Sequence, residues 1–440
     1  MLISDSMLKK RDLYLNRLKA FQDTEPVKVV TGIRRCGKSS LMKLMAQYLR
    51  QTGITNEQII EINFESMEYR NMSVVDLYNY VKEKRILDKK MYLFFDELQR
   101  ITEWQDAINS FRVDFPCDIY ITGSNAYLLS SEFSTYLAGR YVEIKMLPLL
   151  FKEFIDFHGY HIKETESPAG GTRKRIYDAK NESYDPKELF DAYLTYGGMP
   201  GIADVGLVQD KALTFLDGVY STVVIRDILE REKRRGQRQI SDPDLLKKII
   251  RFLADKIGNN TSITKIGNTL INEGLLDEGS RKTNPAIQTV QAYVSALLEA
   301  YIFYEIKRFD IKGKEYLRTL GKYYIVDIGI RNYLLGFRNV DTGHVIENIV
   351  YFELMCRGYD VAIGKVDKYE VDFIATKADE KLYIQVTESM ITEEVRNREL
   401  RPLKIIKDNY EKIVLSLDKD FSSSHDGIKS INLIDWLLSD

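Results

Sequence analysis

Residues 32–39 read Gly-Ile-Arg-Arg-Cys-Gly-Lys-Ser, a complete G-x-x-x-x-G-K-S set between the apolar run Val27–Thr31 and a stretch with helical apolar spacing. The order strand, glycine-framed loop, helix constrains the chain more than any other feature. Glycines at both ends let the backbone wrap a polyphosphate, and the helix amino terminus adds partial positive charge. Lys38 can then reach the β- and γ-phosphates, and the Ser39 hydroxyl can ligate Mg2+. Binding of ATP or GTP follows, with Gly32, Arg34, Arg35, Cys36, Gly37, Lys38, Ser39 and Ser40 as the nucleotide-binding candidates. Arg34 and Arg35 lie inside the loop, where they face either phosphate or a neighbouring molecule.

Turnover needs carboxylates near the terminal phosphate. Met91-Tyr-Leu-Phe-Phe-Asp96-Glu97 is an apolar strand ending in two acids. Asp96 is placed to hold Mg2+ through water and Glu97 to polarise the attacking water, and the second acid favours hydrolysis over nucleotide sensing. The strand Asp118–Thr122 runs into Gly123-Ser124-Asn125, where Asn125 or Ser124 can stand between the γ-phosphate and the attacking water. Arg140, ahead of the last strand of this region, is either a finger acting across a subunit boundary or a partner in a surface ion pair. The catalytic candidates are therefore Lys38, Glu97, Asn125 and Arg140, and the metal candidates are Ser39 and Asp96.

Composition sets the wider frame. A chain of 440 residues implies two to four domains. Its 63 basic and 65 acidic residues give a net charge of −2, so attraction to nucleic acid requires a local basic face. Three cysteines, far apart and odd in number, speak against a disulfide framework and point to a reducing compartment. The amino terminus turns charged before any apolar core forms, and no run approaches the ~18 apolar residues of a membrane span. A cytoplasmic protein without a membrane segment is expected.

Residues 11–150 alternate β-rich runs with helical patterns, the signature of a parallel sheet covered by helices. The strands are expected at Val27–Thr31, Ile59–Phe64, Met91–Phe95, Asp118–Thr122 and Tyr141–Met146. A polar stretch between His161 and Glu188 reads as a loop or insertion hairpin. Leu189–Glu230 reads as a helical lid, interrupted at Gly197-Gly198-Met199-Pro200-Gly201 because two glycines and a proline cannot continue a helix. Helices at Leu245–Ile257, at Ile263–Asn272 and from Asn284-Pro285 precede a hairpin turning at Ile311–Lys314, the layout of a winged helix. From His344 onward one helix, three strands, a helix, a strand and a short terminal strand with helix form a further small α/β unit. The expected boundaries are 1–160 for the nucleotide-binding core, 161–238 for insertion and lid, 239–340 for the winged helix and 341–440 for the tail.

TGIRRCGKSSLM, YLFFDELQRITEW, YITGSNAYLLS and YLAGRYVEIKMLPLLFKEF, in this order and spacing, resemble the AAA-type P-loop ATPases of bacteria and archaea that carry a carboxy-terminal domain of uncharacterised function. The resemblance implies an ATPase core with a helical lid, then a winged helix, then a restriction-endonuclease-like domain. It further implies Mg2+-dependent ATP hydrolysis by Lys38, Ser39, Asp96 and Glu97, and assembly into a homo-oligomer. The tail places Glu347 on a helix and Asp372 on a strand, but Gln385 and Thr387 stand where such nucleases carry an acid and a lysine, so an inactive scaffold is expected. His158, His161, His344 and His425 show no metal-ligand spacing. DNA is the expected partner of the winged helix, through Thr283, Asn284, Gln288 and Gln291 and through Lys307, Arg308, Lys312, Lys314, Arg318 and Lys322 on the hairpin. Arg231–Arg238 adds a basic run that either tracks phosphates or ends a solvated helix. A protein partner, with the nucleotide acting as a switch, is the alternative.

Overall fold

Five short apolar runs form one parallel sheet in the computed structural model, which describes residues 8–124, 139–166, 172–222, 228–229, 240, 242–272, 287–336, 342–418 and 424–439. The strands are β1 (Val27–Thr31), β2 (Ile59–Asn63), β3 (Met91–Asp96), β4 (Cys117–Gly123) and β5 (Tyr141–Lys145), in spatial order β2-β3-β4-β1-β5. β1 and β3 are buried along their whole length, as expected of parallel strands covered on both faces. The helices of this region are α1 (Asp12–Ala20), α2 (Lys38–Gln51), α3 (Val74–Lys84) and α4 (Trp104–Asp114). α3 starts at a reciprocal cap in which Ser73 Oγ accepts from Asp76 N and the Asp76 carboxylate accepts from Ser73 N. Leu77, Val81, Phe95, Ile108, Phe111 and Ile121 close the core between α3, α4 and the sheet.

β4 separates β1 from β3, with Thr31 beside Gly123 and Phe95 beside Ile121. The loop after β1, the acids ending β3 and the turn after β4 therefore emerge along the same edge of the sheet. At the other edge a buried ion pair of Lys28 with Asp118 joins β1 to β4. Lys28 also donates to Thr24 O at 2.8 Å, and Asp118 accepts from Asp23 N at 2.8 Å and from the Tyr120 hydroxyl at 2.9 Å. These bonds satisfy two charges that burial alone would make costly.

The chain divides into two compact units, residues 1–147 with 299–301, and residues 148–298 with 302–440. In the second unit the polar stretch from His161 is an antiparallel hairpin of β6 (His161–Glu166) and β7 (Thr172–Tyr177), extended by β8 (Ser183–Tyr184). Helices Pro186–Tyr196, Gly201–Val205 and Gln209–Tyr220 follow. The glycine-rich interruption between the first two wraps the buried carboxylate of Asp327, which accepts from Gly198 N at 2.6 Å and Ile330 N at 3.0 Å. A Cβ at Gly197, whose φ is +74°, would meet Asp327 Oδ1 at 2.4 Å, and one at Gly198 would meet Leu149 O at 2.1 Å, so only glycine fits.

Helices Pro243–Asp255, Ile263–Asn272 and Ile287–Glu299 and the hairpin of β9 (Phe303–Asp310) and β10 (Glu315–Ile325) come in the expected order. The start expected for the third helix, at Asn284-Pro285, lies outside the described residues. The tail strands are β11 (Asp360–Val366), β12 (Tyr369–Lys377), β13 (Glu380–Val386), β14 (Glu411–Ser416), β15 (Ser424–His425) and β16 (Ile428–Asn432). One eight-stranded sheet holds both sets, in the order β10-β9-β11-β12-β13-β14-β16-β15. The hairpin is thus not a free wing: β9 pairs with β10 on one side and runs parallel to β11 on the other, Ile363 beside Arg308 and Gly364 beside Phe309. The sheet crosses residue 340, where a boundary was expected, because this pairing satisfies the second row of β9 backbone groups. No helix among the described residues is long and apolar enough to cross a membrane.

Candidate functional site

The loop after β1 is shaped by three left-handed positions: Gly32 at φ +142°, Arg35 at +65° and Gly37 at +105°. Gly32 is obligatory, since a Cβ there would lie 2.0 Å from Met146 O. Gly37 is the residue before α2, so the loop feeds directly into a helix amino terminus, where unpaired N–H groups favour an anion. Lys38, the first residue of α2, is buried, and its ammonium donates to Gly32 O at 2.9 Å and Ile33 O at 3.1 Å, spanning the loop from within. Ser39 is exposed and Ser40 half-buried, while the Cys36 side chain packs into the core. Arg34 turns to Glu65, which also receives Arg100 at 3.1 Å. Arg35 is exposed.

The acids of β3 are held by β2 and β4. Asp96 accepts from the Thr122 hydroxyl on one oxygen and from Asn63 Nδ2 at 3.0 Å on the other. Glu97 leaves the strand with φ +58°, its N–H donating to Thr122 Oγ1 at 3.0 Å. Its carboxylate accepts from Gln99 Nε2 and from Ser124 Oγ at 3.1 Å. Burial pushes the Glu97 carboxyl above the usual carboxylate range, Lys38 opposes this, and Asp96 and Glu65 reinforce it. Ammonium and carboxylate therefore act on each other across β4. Lys38, Asp96, Glu97 and Ser124 share one edge, whereas Asn125 lies outside the described residues. Arg140 is exposed, and its carbonyl accepts from Val27 N at 2.9 Å.

Thr122 and Asn63 were not singled out from sequence, although Thr122 ends one expected strand and Asn63 stands one residue before the end of another. Both carry a polar group near the carboxyl end of a β-rich run, and that end adjoins Asp96 only once the strand order is known.

In the second unit, Glu347 and Asp372 come together, but around a cation that sequence had placed on the surface. Lys322, on β10, is buried and pairs with Glu347 at 2.7 Å and Glu370 at 2.9 Å, with Asp372 at 4.0 Å. The Tyr324 hydroxyl also donates to Glu347, His344 Nδ1 lies 3.3 Å from it, and Asn260 donates to Glu370 at 2.7 Å. Burial lowers the tendency of Lys322 to stay charged, but Glu347, Asp372 and Glu370 outweigh it and raise its pKa. Burial and the adjacent Glu347 raise Asp372 well above its ordinary value. Gln385 donates to Glu399 at 3.0 Å, and Thr387 is buried with its hydroxyl on Ser389 O at 3.3 Å. Lys322 thus leaves the expected basic surface, and Lys312 is matched by Asp367. Gln288, Gln291, Lys307 and Lys314 are exposed, whereas Thr283, Asn284 and the run Arg231–Arg238 lie outside the described residues. Among the described residues no group of three or more His, Cys, Asp or Glu side chains is arranged to hold a metal ion.

A family model described as an AAA domain matches residues 24–155, and a domain of unknown function, DUF8612, matches residues 187–341. An uncharacterized protein of Haemophilus influenzae is 39% identical over 432 residues, covering 97% of this chain and 98% of its own. An uncharacterized protein of Methanocaldococcus jannaschii is 29% identical over 392 residues, covering 87% of this chain and 79% of its own. Among solved structures, the Walker-type ATPase PABY2304 of Pyrococcus abyssi aligns with a TM-score of 0.46 at 16% identity, over 76% of this chain and 97% of that one. The Thermotoga maritima RuvB Holliday junction branch migration motor aligns with a TM-score of 0.30 at 16% identity, over 68% and 91%.

Proposed function

Since the chain belongs to one family with the Haemophilus influenzae protein and carries an AAA domain, we propose that it is a Mg2+-dependent ATPase that hydrolyses ATP by in-line attack of water on the γ-phosphate. The observation that carries this reading is the convergence of Lys38, Asp96, Glu97 and Ser124 at one sheet edge, with Glu97 in the electrostatic field of Lys38. The donor set suits the substrate: an ammonium and a helix amino terminus for phosphate oxygens, and an exposed hydroxyl beside them. Lys38 leaves the loop carbonyls for the β- and γ-phosphates. Glu97 orients the attacking water and accepts its proton, a task helped by the raised basicity that its burial and acidic neighbours confer. Ser124 and Gln99 fix the direction of that carboxylate. Thr122 couples the two acids by accepting from the Glu97 N–H while donating to Asp96. A Mg2+ ion held by the Ser39 hydroxyl and the Asp96 carboxylate would neutralise charge on the phosphates.

The output we assign to turnover is work on DNA, through the exposed Gln288, Gln291, Lys307 and Lys314 of the second unit. Withdrawal of Lys322 into buried ion pairs thins that basic face and favours a second reading, a nucleotide-controlled switch acting on a protein partner. Arg140 serves a neighbouring subunit in a homo-oligomer, and Arg140→Ala should then regain rate on mixing with a Lys38→Ala protein. The deciding experiment measures ATP turnover at low salt with and without duplex and single-stranded DNA, beside Lys38→Ala. Turnover absent from Lys38→Ala and accelerated by DNA is expected. A rate that DNA leaves unchanged removes the DNA reading, and a parent protein that binds no nucleotide removes both.

A further inference from the structure

We propose that Arg11, at the start of α1, is a positioning residue that holds the phosphate-binding loop in its nucleotide-accepting form; the inference rests on the ATP-binding reading above. Arg11 sits 25 positions before Cys36, yet its side chain is only 3% exposed, and Nη1 donates to Cys36 O at 3.1 Å and to Leu147 O at 2.7 Å. The first of these carbonyls belongs to the loop. A trans peptide is planar, with C=O and N–H pointing in opposite directions. Anchoring the Cys36 carbonyl on the guanidinium therefore turns the Gly37 N–H the other way, away from Arg11. That N–H belongs to the residue just before α2, one of those a phosphate would engage.

The second carbonyl fixes the base on which the loop rests. Met146 and Leu147 leave β5 beside the loop: Met146 N donates to Thr31 O at 2.8 Å, and a Cβ at Gly32 or Gly37 would lie 2.0 Å or 3.2 Å from Met146 atoms. Tyr14, three residues along α1 and fully buried, accepts from Leu147 N at 3.1 Å, and the Arg11 guanidinium lies 4.6 Å from the Tyr14 ring centroid. α1 thus grips the strand exit through both residues, and Arg11 also reaches the loop. An arginine suits the position because both hydrogens of its Nη1 are used, one for each carbonyl, while the planar cation stays charged and lies against the Tyr14 ring, a contact that a lysine reproduces only in part.

The test compares ATP binding and turnover in the full chain for the parent, Arg11→Ala, Arg11→Lys and Tyr14→Phe. Loss of charge-assisted bonds to the loop should raise the Kd for ATP about tenfold to a hundredfold in Arg11→Ala. KM should rise similarly with kcat little changed, because Arg11 touches no reacting atom. Arg11→Lys should fall between, Tyr14→Phe should stay near the parent, and millimolar guanidinium added to Arg11→Ala should restore affinity, which a general loss of stability would not allow. A folded Arg11→Ala protein that binds ATP like the parent overturns the proposal, as does equal loss in Arg11→Ala and Tyr14→Phe. If Arg11→Ala does not fold, Arg11→Lys decides: parental affinity refutes the role, and weakened affinity with an unchanged urea midpoint supports it. A parent that binds no ATP refutes the ATPase reading itself, whereas a binding parent with an indifferent Arg11 refutes only this inference.

Discussion

Replacing Asp327 by asparagine should change how the stability of the second unit depends on pH. Burial raises the Asp327 carboxyl from 3.8 to about 6, against the pull of the backbone N–H groups of Gly198, Ile330, Gly329 and Met199. The folded pKa lies above the unfolded one, so between these values the folded state binds the extra proton. Its stability must therefore rise as pH falls through 6 and level off below about 4. At pH 7 both states are ionised and the gain is absent; at pH 4.5 the folded carboxyl is mostly protonated and the unfolded one mostly not. Linkage over that interval gives about 2 kcal/mol in favour of the parent. The carboxamide of the Asp327→Asn variant has nothing to titrate, and every other carboxylate cancels when the two proteins are compared at each pH. Urea unfolding, followed by Trp436 fluorescence with Trp104 replaced by phenylalanine in both proteins, supplies the four free energies. A parent-minus-variant difference at pH 4.5 within about 0.5 kcal/mol of that at pH 7 would refute the assignment of a buried, proton-binding carboxylate at this corner.

Two further outcomes follow from the site and the tail. Glu97→Gln keeps the side-chain shape and the neighbouring phosphate-binding groups but removes the base, so ATP should remain bound while turnover drops at least about a hundredfold in a phosphate-release assay; parental turnover would exclude Glu97 from the chemistry. Lys322→Met leaves the buried Glu347 and the half-buried Glu370 without their ammonium and should cost about 3–5 kcal/mol by urea denaturation at pH 7. Part of that loss should return on acidification, as the stranded carboxylates take up protons.

Sequence made local features legible and long-range ones not. Val27–Thr31 and Met91–Phe95 stood out because a parallel strand covered on both faces is mostly apolar, and Leu245–Ile257 and Ile263–Asn272 because their apolar residues recur at helical spacing. The loop motif was readable because its glycines, lysine and serine are adjacent in the chain. Arg11 and Lys322 were not, since a buried guanidinium or ammonium looks on paper like any surface cation, and only the fold brings its acceptors to it. Thr122 was visible as a strand end and Asn63 as the residue before one, but their attachment to Asp96 depends on β3 lying between β2 and β4. The same limit explains the boundary expected at 340: the succession of helices and hairpin ends before it, whereas the parallel register of Arg308 with Ile363 joins residues far apart in sequence.

That shared sheet bears on what happens if the chain is divided. A tail beginning at residue 341 would carry away six strands and leave β9 and β10 behind, exposing an open row of amides and carbonyls on each fragment. Cutting the chain at that point would leave two pieces that each present an unpaired strand, β9 on one and β11 on the other, and each would tend to pair with whatever strand it meets.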